Sequence, residues 1–280
     1  MLQVWTAMNL EALGLEKSGA VLRITLNRPD SRNAMSLRMV AELRQVLAAA
    51  EASAEMPDPV RVLVLRGAGG HFCAGADLKD MAQARMQALQ RTAGDAADPI
   101  AEANAAFGAL CVAYARTPLA LVAVLEGSVM GGGFGLACVA DIALASHTAL
   151  FRLPETSLGL VPAQIAPFLV ERLGYSQAKR LAVTGGRLDA AAALHLGLVH
   201  EVTGGEMLET ALGRILADIL ACAPGALAAT KALVERARLT APQDLVAEAA
   251  TVFSQAAQGA EGVEGVTALM QKRKPRWALA

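Results

Sequence analysis

Hydrophobic positions along the chain switch repeatedly between a strand-like and a helix-like period. Two short runs, Leu13–Glu16 and Val21–Leu26, read as strands joined by a Ser18-Gly19 turn, and Pro29 ends the second. Behind Ser36 as N-cap, Leu37, Val40, Leu43, Val46 and Leu47 recur at helical spacing as far as Ala52. Pro57 and Pro59 bracket a linker. Leu119–Leu125 is a continuous apolar run whose length and β-branched content suit a buried strand, and Val60–Leu65, in the stretch RVLVLRG, reads as another. Between them, residues 82–116 are rich in Ala and Gln and break from Gly94 to Pro99, which predicts two helices with a joint and a candidate lid or pocket wall. Further on, Ser176 and Asp189 read as N-caps of short helices, and Gly174, Gly185 and Gly197 as stops. From Glu206 the pattern is wholly helical, with Pro224 and Pro242 at boundaries. The expected organisation is an α/β core over residues 8–205 followed by a helical C-terminal segment over residues 206–280, a candidate oligomerisation element. The opening MLQVWTA is unlike the rest of the chain in pattern, which makes Met8 a candidate native start.

Two strand-to-helix turns stand out. After the strand at 119–125 the chain breaks at Gly127, and Gly131, Gly132 and Gly133 lead into an apolar helical stretch from Phe134. Glycines there let a backbone N–H approach a ligand unhindered, and a helix N-terminus favours developing negative charge. After the earlier strand, Gly69, Gly70 and Gly75-Ala76-Asp77 lead into a helical stretch from Leu78, which places the Ala76 N–H at a second helix start. Two such donors aimed at one oxygen are what stabilising an enolate or thioester oxyanion requires. Glu155 follows among Phe151, Leu153, Pro154 and Leu158, where desolvation raises a carboxyl pKa and fits it for proton transfer. The glycine spacing fails G-x-G-x-x-G/A, because Leu136 or Cys138 stands at the sixth position, and there is no Walker sequence. His71 beside Phe72 reads as structure rather than base.

Composition narrows the class. With 280 residues, 54% hydrophobic and 18% charged, the chain can bury a large core, and a net charge of −1 argues against a nucleic-acid binder. Cys73, Cys111, Cys138 and Cys222 lack C-x-x-C spacing and read as reduced packing residues of a cytoplasmic protein. His71, His147, His195 and His200 show no zinc-ligand spacing, so no metal is expected, and no segment has the pattern of a signal peptide or membrane span. The basic cluster Lys272, Arg273, Lys274 and Arg276 is a solvated tail or a phosphate partner.

In order along the chain, ITLNRPDSRNAMS, HFCAGADLKDM, VLEGSVMGGGFGLACVADIALAS, FRLPETSLGLVPA, LAVTGGRLDAAAALHLGLVHEV and QKRKPRW resemble the successive signature blocks of the enoyl-CoA hydratase/isomerase (crotonase) family. The resemblance covers nearly the whole chain from Leu10. It implies a crotonase-like spiral of repeated ββα units with a helical C-terminal part, assembled as a homotrimer or a dimer of trimers. It implies an acyl-CoA thioester as substrate, with CoA part of that substrate rather than a separate cofactor, and its carbonyl between the N–H groups of Ala76 and Gly132. CoA contacts then fall around Arg28, Ala34, Asp77 and Leu78, with Lys79 and Lys272 as phosphate partners, Lys272 serving a neighbouring subunit.

Two departures from the family pattern narrow the chemistry. Two-glutamate hydratases carry one Glu two residues after the glycine triplet and another in the later P-E block; here the first position is Gly135 and only Glu155 remains. The segment VPAQIAPFLVERLG also replaces a glycine-rich one. This variant is similar to hydratases of 3-branched glutaconyl-CoA thioesters, isohexenylglutaconyl-CoA of acyclic terpene breakdown first and methylglutaconyl-CoA of leucine breakdown second. Gln164 is a candidate water holder on spacing alone, although a loop hydrogen bond is its plainer role. Arg152 is a weak candidate for a substrate carboxylate, since three residues of extended chain turn it away from Glu155. The alternatives are an enoyl-CoA isomerase with a single glutamate and a catalytically silent binding or scaffold protein.

Overall fold

The computed structural model describes residue 5, residues 8–90 and residues 98–278. Its main sheet has six strands in the order β1-β2-β3-β4-β6-β9, formed by β1 (Leu13–Ser18), β2 (Val21–Leu26), β3 (Val62–Gly67), β4 (Ala120–Leu125), β6 (Ile142–Ser146) and β9 (Glu201–Thr203). Only β1 runs antiparallel to its neighbour. A smaller sheet holds β5 (Ser128–Met130), β7 (Leu150–Arg152) and β8 (Arg187–Asp189), in that order. The chain alternates between the two sheets: β4 feeds β5 and then helix α4 (Gly132–Val139), and β6 feeds β7. An isolated bridge between Cys73 and Val129 gives β3 the same second strand in rudiment before helix α2 (Leu78–Leu89). This is the expected spiral of ββα turns.

The central strands are continuously apolar because both faces of the main sheet are covered. Leu63, Leu65, Leu121, Ala123 and Leu125 face a large core shared with α1 (Leu37–Ala52) and α3 (Pro99–Arg116). Val62, Val64, Val122 and Val124 face the opposite way, onto Leu208, Leu212, Ile215 and Leu216 of α7 (Leu208–Leu220). Helices α8 (Pro224–Ala237), α9 (Pro242–Gln258) and α10 (Ala260–Met270) follow, the first two beginning at the anticipated prolines. Trp5, upstream of Met8, is buried in the main core.

Ser36 caps α1, its hydroxyl accepting from the Met39 N–H at 3.1 Å, and Asp189 caps α6 (Ala190–His195) through Ala192 at 2.8 Å. Three expectations shift. The strand expected at Val60–Leu65 lies at Val62–Gly67, because Val60 is buried but spends its N–H on Ser53 Oγ rather than on the sheet. Ser176 caps nothing: Gly174, at φ 73°, kinks α5 (Ala166–Thr184) and is itself the break. The helix before the joint starts at Leu78, and the joint at 94–97 lies outside the described residues. Burial pushes the Cys73 thiol up to about 11 and those of Cys111 and Cys138 to about 12, as fits neutral packing groups.

Candidate active site

Register brings three successive turns of the spiral to one place. Cys73 pairs with Val129, and Val129 with Phe151, so counting onward sets Ala74, Met130 and Arg152 side by side. Ala76 and Gly132 therefore stand at equivalent positions of the first two turns, and Glu155 opens a short 3-10 helix just past the same level of the third. The glycines ahead of the donors meet back to back. Gly75 has φ 102° and Gly131 φ 48°, and an ideal Cβ on Gly131 would fall 3.4 Å from Gly75 Cα.

The first turn is held by polar bonds. Residues 32–35 run beside residues 74–77: Ala74 N–H donates to Arg32 O, Met35 N–H to Gly75 O and Asp77 N–H to Met35 O. That alternation turns the Ala76 N–H away from Met35. Asn33 fixes the loop, its side-chain oxygen accepting from the Arg28 N–H at 2.8 Å and its Nδ2 donating to the carbonyls of Ala68 and His71. Asp77 caps α2 through the N–H of Lys79 at 2.8 Å and pairs with Arg28 at 2.7 Å, while Arg28 also donates to Ala34 O. Burial by itself would raise the Asp77 carboxyl, but Arg28 and the Lys79 N–H outweigh it and hold it below its usual value. Arg28, Ala34 and Asp77 thus form one bonded group behind Ala76. Leu78 and Lys79 are exposed beside it, and no carboxylate among the described residues pairs with the Lys79 ammonium.

The second turn is held by fit. Gly131 donates its N–H to Arg152 O, and α4 then buries Phe134 edge-on against Phe151, ring centroids 5.9 Å apart. A Cβ at Gly133 would fall 2.7 Å from Cys73 Cβ. At the far end of α4, Arg172 donates to the carbonyls of Ala137 and Ala140, supplying a cation where the last helix carbonyls lack partners. Neither the Ala76 nor the Gly132 N–H has an acceptor among the described residues.

Glu155 lies against the residue before the second donor: the Gly131 Cβ position is 3.0 Å from Glu155 Oε1. Its Oε2 is buried with no hydrogen-bond partner, and desolvation raises its pKa, opposed only by its own backbone N–H. Gln164 does not join it: its Nε2 donates to Asn104 Oδ1 at 2.9 Å. His71 is structural, its Nδ1 accepting from the Ser128 N–H. Arg152 keeps a buried, unpartnered Nε, and no contact brings it to Glu155. Lys272 is exposed at the end of α10, in a tail anchored where Arg61, just before β3, donates to Trp277 O. That is the opposite end of β3 from Ala76. No cluster of metal-ligating side chains and no single helix long and apolar enough to cross a membrane occurs among the described residues.

Asn33, Arg172 and Phe107 escaped the reading of the sequence. Asn33 left one signal, an Asn in a turn where left-handed backbone is needed, and it has φ 57°. The others act on partners distant in the chain.

A spiral fold with two acceptor-free amides near a desolvated carboxylate offers an oxyanion site and a proton-transfer group in one place. Residues 16–279 match the enoyl-CoA hydratase/isomerase family, to which the protein belongs. It is 53% identical to the solved structure of Pseudomonas aeruginosa AtuE, over 96% of this chain and 100% of that one, with a TM-score of 0.89. It is 35% identical over 240 residues to a probable enoyl-CoA hydratase of Rhizobium meliloti (strain 1021), 85% of this chain and 87% of the relative. It is also 30% identical over 275 residues to the peroxisomal Delta(3,5)-Delta(2,4)-dienoyl-CoA isomerase of Arabidopsis thaliana, covering 96% of each.

Proposed function

We propose that the protein hydrates the double bond of a 3-branched glutaconyl-CoA, isohexenylglutaconyl-CoA or methylglutaconyl-CoA. The observation that carries a proton-transfer role is Glu155, a raised carboxylate with one oxygen against Gly131 and the other unpartnered. The N–H groups of Ala76 and Gly132 polarise the thioester carbonyl and take up charge as it becomes an enolate oxygen. Water then adds to the β-carbon, Glu155 takes its proton, and the same proton passes to the α-carbon. Arg28, Ala34, Asp77 and Leu78 line the CoA path, and Lys79 meets a phosphate. Lys272 reaches the CoA of a neighbouring subunit in a homotrimer or dimer of trimers, and the enzyme works in the cytoplasm. The branched substrate is favoured by Gly135 and by the VPAQIAPFLVERLG segment.

Glu155→Gln keeps the shape and removes the proton acceptor. Expected is a loss of hydration of at least about 100-fold, the scale of an acid-base group, with acyl-CoA binding retained. Near-normal turnover would sink the assignment. The single carboxylate and the dienoyl-CoA isomerase relative support a second reading, double-bond isomerisation with Glu155 carrying a proton between carbons. Following absorbance of the conjugated thioester separates the two, since hydration of a 2-enoyl thioester removes conjugation and isomerisation of a 3-enoyl thioester creates it. Side-by-side assays with the two branched glutaconyl-CoA esters and crotonyl-CoA rank the substrates.

A further inference from the structure

Position 135, which lacks the second carboxylate, is also walled in. A Cβ built there would lie 3.2 Å from Ile165 Cγ1 and 3.4 Å from Phe107 Cζ. The same ring reaches along α4 to Gly132, whose Cβ position is 3.3 Å from Phe107 Cζ. One aromatic side chain therefore covers the helix face between a donor amide and the empty carboxylate position.

The ring is held there from two sides. A Cβ on Gly108 would fall 2.0 Å from Gln164 Oε1, so the Gln164 amide lies directly on bare helix backbone. Its Nε2 is tied to Asn104 Oδ1. Asn104, Phe107 and Gly108 share one face of α3 by their spacing, and Ile165 follows Gln164 in sequence. A single contact between α3 and the 159–165 loop thus fixes both halves of the wall.

We propose that Phe107 is a specificity-determining residue, a plug latched by Gln164, Asn104 and Gly108. With Ile165 it replaces the second carboxylate by a carbon surface and selects acyl groups that carry an apolar substituent near the reacting carbons. The latch makes Gln164 a positioning residue, acting on substrate through Phe107 and Ile165. The inference rests on the acyl-CoA reading but on neither hydration nor isomerisation, so it is tested by binding without turnover.

Butyryl-CoA, 3-methylbutyryl-CoA and free CoA are titrated calorimetrically into the unsubstituted protein, Phe107→Ala and Gln164→Ala, with thermal unfolding of each. The unsubstituted protein is expected to prefer the branched thioester. Phe107→Ala should shrink that preference by about fivefold or more, on the scale of a methyl group in an apolar pocket. Gln164→Ala should shift it the same way by less, and free CoA, which carries no acyl group to meet the plug, should bind all three within about twofold. Should Phe107→Ala fail to fold, Phe107→Leu is read instead. An unchanged preference, or an equal loss for CoA and both thioesters, overturns the plug. Absence of binding by the unsubstituted protein overturns the acyl-CoA reading and this inference with it.

Discussion

The turns carrying Ala76 and Gly132 present equivalent backbone amides, yet they are built on opposite principles. Behind Ala76 stand a salt bridge, a charged helix cap and the buried Asn33, and Ala76 itself is exposed. Gly132 sits between Phe107 and Met35 on an apolar helix, and its neighbours are fixed by how closely backbone meets backbone. A turn held by charges tolerates small changes of volume and fails when a charge is lost. A turn held by contact does the reverse, so the same class of substitution should separate the two.

The largest effect is expected from adding one methyl group. Gly131→Ala forces a side chain at φ 48° and places its Cβ 3.0 Å from Glu155 Oε1. The carboxylate must move and the following amide swings with the strained turn, so kcat/KM should fall about 100 to 1000-fold, the scale of losing one oxyanion donor. Gly75→Ala also suffers a left-handed φ, 102°, but its nearest neighbour is Met130 O at 3.5 Å, an ordinary contact. Its loss should be smaller by about tenfold, since steric clash is removed and only backbone strain remains. Equal losses in parallel assays would erase the difference between the turns.

Charge removal should rank them the other way. Asp77→Asn keeps a capping oxygen but gives up the ionic bond to Arg28, and Arg28→Met leaves Asp77 buried without its cation. Each is expected to cost about 1–2 kcal/mol of stability in denaturant titrations and to raise KM more than it lowers kcat. Arg172 tests the other turn: Arg172→Ala leaves the carbonyls of Ala137 and Ala140 bare and should lower stability with kcat little changed, because packing rather than charge holds Gly132. A fall in kcat as large as that of the Arg28 and Asp77 variants would mean that charge holds this turn as well.

This contrast also explains what the sequence discloses. Glycine marks places where backbone must be approached closely, so the two donor turns are visible from Gly75 and Gly131–Gly133. Glu155 is less plain, since a Glu after a proline is more often a solvated turn, and it stands out only beside the two donor turns and the P-E block of the family pattern. The strand at 119–125 shows through its unbroken apolar run, whereas Val60 misleads because burial and sheet membership come apart there. The plug is invisible: Phe107 is one apolar residue among many on α3, and only the fold reveals that Gly132 and Gly135 lie beneath it. Gln164 likewise offers an amide to any reading until Gly108 shows where it rests.

The smallest effect concerns pH and sets the two carboxylates of the site against each other. Asp77 has a folded-state pKa below its unfolded value, so its contribution to stability is present above the ordinary carboxylate range near pH 4 and is lost as pH falls through the folded value. Glu155 is shifted upward by desolvation. Protonation there favours folding: the benefit is complete below the unfolded pKa and disappears as pH rises through the folded one. At neutral pH the ionised Glu155 therefore works against the fold, and Glu155→Gln should raise Tm by about 1–3 °C while Asp77→Asn lowers it. On acidification turnover should decline first, as Glu155 takes its proton, with Tm still held because Asp77 remains ionised. A pH–rate profile measured beside a pH–Tm profile decides it. Activity and Tm falling together, or a lower Tm for Glu155→Gln, would mean that the two carboxylates do not play opposite parts.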